Sequence, residues 1–132
     1  MEKKAALDRA LVQEIVLKAH SDLVRVQELI AQEPALVNAS WDWGGGDWET
    51  PLGSAAHMGR RDIAEYLLAH GARLDLFAAA MLGQLEIVQA VIAAFPEMKD
   101  VRGPHGIPLL VHAQQGGPAA GAVLDYLTSL GQ

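Results

Sequence analysis

His57 follows Asp47 and Glu49 within ten residues. Imidazole nitrogens and carboxylate oxygens are the donors of zinc sites and the proton carriers of acid–base catalysis. The spacing that either chemistry uses is absent. There is no HExxH, no pair of histidines one helical turn apart, and no aspartate-rich calcium loop closed by a glutamate. His20, His70, His105 and His112 are scattered along the chain, so a solvated or core role is expected for the histidines. Gly44-Gly45-Gly46 has no following lysine, and its acidic flanks would repel phosphate. Ser21, Ser40, Ser54 and Ser129 lie in no nucleophile elbow, and there is no cysteine to act as nucleophile or thiolate ligand. No enzymatic activity, metal or cofactor is expected from these patterns.

Chemistry of recognition is better represented. All three tryptophans, Trp41, Trp43 and Trp48, fall in one stretch, NASWDWGGGDWE, together with Asp42, Asp47 and Glu49. Tryptophan offers a large contact area at low entropic cost and dominates binding hot spots. The stretch therefore reads either as an aromatic, acidic contact surface or as a lid of one or two rings over a core. Burial of all three is disfavoured by charged Asp42 between Trp41 and Trp43.

The elements that must hold this stretch are short helices. In residues 47–75, Leu52, Ala55 and Ala56 form one apolar stripe and Ile63, Tyr66, Leu67 and Leu68 a second, with Gly59 between them and Gly71 after. Thr50-Pro51 supplies a side-chain cap and a first-turn proline. Two amphipathic helices so joined make an antiparallel hairpin that cannot bury both faces alone and needs stacked copies. The copies are present. A shift of 37 places Ala19-His20 under Ala56-His57, Val26 under Ile63 and Ala35 under Ala72. A shift of 24 places Ala80, Gly83 and Ile87 under Ala56, Gly59 and Ile63. A shift of 57 places Ile107-Pro108-Leu109 under Thr50-Pro51-Leu52, with a short insertion after Gly117-Pro118. The expected helices are residues 5–19, 23–32, 76–82 and 85–94, besides the central pair and a last pair. The apolar LFAAAML of the third pair should be buried more completely than its counterparts.

The central stretch resembles the ankyrin repeat at Thr50, Pro51, Leu52, Ala55, Ala56, Gly59, Ile63, Leu67, Leu68, Gly71, Ala72 and Asp75. Trp48 and Gly53 depart from the family pattern, which has glycine and histidine there. The resemblance implies an all-α ankyrin-repeat solenoid of about four helix-turn-helix repeats in a single domain, 1–132, with repeats near 5–38, 39–75, 76–98 and 99–132. It also implies that connectors project as β-hairpin fingers. The first finger is then long, carrying the tryptophans, and none remains between repeats two and three. Residues before each inter-helix glycine would face a concave groove: His57-Met58, Met81-Leu82 and Gln114-Gln115.

The resemblance implies a non-enzymatic module binding a protein partner. The expected contact residues are Trp41, Trp43, Asp47, Trp48 and Glu49 on the finger, and His57, Met58, Met81, His105 and Gln114 along the groove. Acidic and aromatic residues together suit a basic or extended peptide. Two other readings stay open: a small-ligand pocket over Met81 lined by His57, Trp48 and His105, and an assembly module.

Bulk properties narrow the partner. A net charge of −6 disfavours nucleic acid and anionic membranes. The N-terminal MEKKAALDRALVQE lacks an apolar signal core, and no apolar run reaches a membrane span, so a reduced cytoplasmic setting is expected. After Arg102 the only formally charged side chain is Asp125. A terminal repeat so neutral suggests shielding by a second copy, a homodimer through the C-terminal repeat.

Overall fold

The computed structural model describes residues 4–131, and the fold is mostly helical. Its α-helices are α1 (Arg9–Lys18), α2 (Leu23–Gln32), α3 (Pro51–His57), α4 (Arg61–Ala69), α5 (Leu76–Leu82), α6 (Leu85–Ala94), α7 (Leu109–Gln115) and α8 (Gly121–Ser129). Strands β1 (Trp41–Asp42) and β2 (Trp48–Glu49) pair antiparallel, with Trp41 opposite Glu49 and Asp42 opposite Trp48. None of the described helices is long and apolar enough to cross a membrane.

Local chemistry accounts for the helix boundaries. Thr50 Oγ1 accepts the Gly53 N–H at 3.0 Å and opens α3; the Asp75 carboxylate accepts the Ala78 N–H at 2.8 Å and opens α5. The spans of α2, α5 and α6 coincide with those expected from sequence spacing. The first helix starts later than expected, at Arg9 instead of residue 5, because Asp8 accepts the Ala10 N–H at 2.8 Å and acts as its cap. Leu7 is thereby left outside the helix, beside the finger.

Packing joins the helices in pairs, α1 with α2, α3 with α4, α5 with α6 and α7 with α8. The first members also pack on one another, α1 on α3, α3 on α5 and α5 on α7, and α3 touches α7, so their row is curved. Two apolar cores result. Ile15, Val26, Leu29, Leu36, Leu52, Ile63 and Leu67 centre the first; Val88, Leu109, Val123 and Leu127 centre the second. Helix α5 serves both, giving Ala78, Met81 and Leu82 to one and Ala79 and Ala80 to the other. Its nearly all-apolar sequence is accordingly buried from Ala78 to Leu82.

One expectation is corrected here. Met81 is fully buried, so no groove opens above it and it presents no surface to a ligand or partner. In the last helix pair the larger apolar side chains turn mainly toward the second core. Val123 and Leu127 are buried, and Tyr126 and Leu130 pack partly buried on the second core. The large exposed apolar side chains among the described residues lie elsewhere, Trp48 and Phe95 prominent among them.

Candidate functional site

The finger is a tight hairpin. Its turn runs through Gly44, Gly45 and Gly46, all with positive φ and open space where a Cβ would stand. Asp42 Oδ1 accepts the N–H groups of Gly44 and Gly46 at 2.8 and 3.0 Å, fixing the turn from inside. Strand alternation sends adjacent side chains to opposite sides. Trp48 points outward, 59% exposed, while Glu49 points inward and is buried. Trp41, Asp42 and Trp48 meet Leu7, Arg9 and Val12 in an open groove of about 390 Å³ beside the finger. The Arg9 guanidinium sits 5.7 Å from the Trp41 ring centroid.

On the inner side Glu49 is the centre of a histidine cluster. His20 Nε2 and His105 Nε2 each approach Glu49 Oε1 at 3.3 Å, and His57 Nε2 approaches Oε2 at 3.0 Å. Trp43 Nε1–H donates to Oε1 at 2.9 Å. The imidazole centroids are 4.9 Å apart for His20 and His57, and 5.4 Å for His57 and His105. Each histidine arrives on a different element: His20 in the turn after α1, His57 as the last residue of α3, and His105 in the connector before α7.

The connector is built to deliver His105. Arg102 and Pro108 form a bridge, and Gly103 N–H donates to Ile107 O at 2.9 Å, closing a narrow loop. His105 itself has φ 61, a left-handed backbone unusual for a side-chain-bearing residue. Asp47 compensates by accepting both the His105 backbone N–H at 2.7 Å and its Nδ1–H at 2.6 Å. Gly53 leaves room for the loop, since a Cβ there would already touch the Pro104 ring at 3.4 Å. The glycine that replaces the family's histidine thus makes space for a histidine from another element.

Electrostatics follow the geometry. Burial pushes the Glu49 carboxyl up, but the neighbouring His20 and His57 rings prevail and hold it far below the usual carboxylate range. Contact with Glu49 in turn raises His20, against the opposing effect of its burial. The His105 backbone N–H holds Asp47 below its ordinary value, with the His105 ring adding to it. Two buried atoms, Glu49 Oε2 and His57 Nε2, have no hydrogen-bond partner among the described residues, because their 3.0 Å approach is poorly aligned.

The ankyrin-repeat family model matches residues 47–77, spanning the finger's second strand, α3, α4 and the start of α5. Residues 47–77 therefore belong to an ankyrin repeat. No curated protein matches it.

The expected contact residues divide into two groups. Trp41, Trp48, Met58 and Gln114 keep exposed or partly exposed surface. Trp43, Asp47, Glu49, His57 and His105 turn toward one another, and Glu49 at 1% exposure cannot meet a partner at all. His57, Trp48 and His105 do not line one pocket, because Trp48 lies on the opposite side of the hairpin. The cluster was missed in the sequence because its members sit at positions 20, 49, 57 and 105 with no local motif. One signal did exist: His20 and His57 occupy equivalent places in adjacent repeats, and stacked repeats bring equivalent places side by side.

Proposed function

We propose that four ankyrin repeats, 5–38, 39–75, 76–98 and 99–132, form one stacked domain that binds a protein partner without catalysing a reaction. Ankyrin repeats are in general protein–protein interaction modules, which supports the class of function. The single observation carrying the choice of surface is Trp48, 59% exposed on a hairpin whose turn is fixed by the Asp42 carboxylate. A large aromatic side chain held exposed and rigid is a preformed anchor that loses little entropy on binding.

The contact surface is the groove beside the finger, formed by Trp41, Trp48, Asp42, Arg9 and Leu7, with exposed Met58 and Gln114 as separate candidate contacts. An extended peptide segment with an apolar side chain for the groove fits it. Preference for a strongly basic partner is reduced, since Asp47 and Glu49 are engaged by histidines and only Asp42 remains on the outer side. Selection of peptides from a displayed library against the wild-type protein, followed by affinity measurement with Trp48→Ala, tests the assignment. Loss of a hot-spot tryptophan costs about 2 kcal/mol or more of binding energy, roughly a thirtyfold fall in affinity. Unchanged affinity in a folded Trp48→Ala protein refutes the finger as the contact surface.

A further inference from the structure

We propose that His20, Glu49, His57 and His105 form a binding site for one divalent cation of the zinc type. The four residues offer ligand atoms that all lie within 4.8 Å of one another. Three imidazoles and a carboxylate are a donor set that suits zinc and its first-row neighbours and disfavours calcium and magnesium.

The hydrogen atoms decide the matter. His20 Nδ1 lies 3.0 Å from Val16 O and 2.9 Å from Leu17 O. Carbonyl oxygens only accept, so Nδ1 carries the proton and Nε2 of a neutral ring presents its lone pair. His105 is fixed likewise, its Nδ1–H given to the Asp47 carboxylate at 2.6 Å. Both Nε2 lone pairs then face Glu49 Oε1 at 3.3 Å, lone pair against lone pair. Such an arrangement is repulsive unless a positive charge stands between the atoms. A proton on each ring would supply it, at the cost of gathering imidazolium charges around one carboxylate. A single divalent cation supplies it for all of them and matches the charge of Glu49 and Asp47 together.

Distances and surroundings agree with this. Ligands about 2.0–2.1 Å from a tetrahedral ion stand about 3.3 Å from one another, which is the separation of Glu49 Oε1 from His20 and His105. The widest pairs would close by about 1.5 Å on the ion, a movement within reach of ring rotation. Buried Glu49 Oε2 and His57 Nε2, both without a hydrogen-bond partner, would gain one in the metal. Histidine ligands that give their other N–H to a carboxylate or backbone carbonyl, as His105 and His20 do, are the usual outer arrangement of zinc sites. The partly exposed His20 and His105 side chains leave the site open to solvent for the ion to enter.

The test uses the untagged full chain, stripped with chelator and titrated with ZnCl₂ by calorimetry near neutral pH. The expected result is one ion per chain, with affinity reduced at least tenfold in His20→Ala and in His105→Ala. Asp47→Asn, which weakens the support of His105 and removes one negative charge beside the site, should lower affinity about 10–100-fold. His70→Ala, on exposed His70 at the end of α4, should bind as the wild type does. Circular dichroism confirms that each variant is folded. As a second readout, CoCl₂ in place of ZnCl₂ should quench Trp43, whose indole N–H touches Glu49. Failure of the folded wild type to take up zinc more tightly than a His20→Ala/His105→Ala double variant overturns the proposal. So does wild-type affinity retained in both single variants.

Discussion

Replacing Gly116 by alanine should destabilise the protein sharply, and the structure isolates the reason. Gly116 has φ −69, which alanine adopts freely, so no backbone strain is involved. The added methyl would instead lie 2.1 Å from Met81 O and 2.6 Å from Ala120 Cβ. Met81 O belongs to the backbone of buried α5 and cannot rotate away as a side chain would. Overpacking of this kind costs about 1–3 kcal/mol, and a rigid obstacle places it near the upper figure. For a chain of this length about 3 kcal/mol lowers the melting midpoint by roughly 10 °C. Gly121→Ala is the control. Gly121 has φ −58 and ψ −40 at the start of α8, with open space for a Cβ. The same change of residue should there stabilise by about 0.4–1 kcal/mol, by restricting the unfolded chain. Urea unfolding followed by circular dichroism reads both. If Gly116→Ala falls within about 0.5 kcal/mol of wild type, α5 and α7 do not meet as described, and the junction of the last two pairs is wrong.

Two further outcomes follow from the buried polar groups. Ser54 Oγ donates to Val16 O at 2.8 Å, tying α3 to α1, and Ser54→Ala should cost about 1 kcal/mol in urea unfolding; a neutral effect would mean the bond contributes nothing. His112 is buried, and burial lowers its pKa below the ordinary 6.5 although the Pro108 carbonyl opposes the shift. The unfolded chain therefore takes up this proton first, so the contribution of His112 is full above pH 6.5 and is lost as pH falls through the folded value. Unfolding midpoints compared above and below pH 6.5 should show this slope in wild type and a smaller one in His112→Gln; equal slopes would refute it.

Much of the fold was legible because a helix pair announces itself locally. Thr50-Pro51 marks a helix start by chemistry that needs no distant partner, and the Thr50 cap is present. Leu76–Leu82 was readable as buried because it has no polar face to expose. Position 5 as a helix start failed for an equally local reason, the competing cap at Asp8. Met81 failed for a distant one: adjacent helices close over it on both sides, and the repeat pattern alone does not report how tightly they curve. Glu49 and Asp47 look like solvent-exposed acids beside tryptophans. The strand register turns Glu49 inward onto His20, His57 and Trp43, and the return of the chain at His105 engages Asp47. Side chains brought together from four elements leave no period for a sequence to display.

Asp47 and His105 are 58 positions apart, yet they are joined by two hydrogen bonds. A row of repeats normally frays from its free ends, each terminal unit leaving with the loss of one neighbour. Here a strap runs from the first connector to the last across the helices between them. Parting α7 and α8 from the finger also breaks these two hydrogen bonds. The end of the chain is in this way tied to the finger near its start.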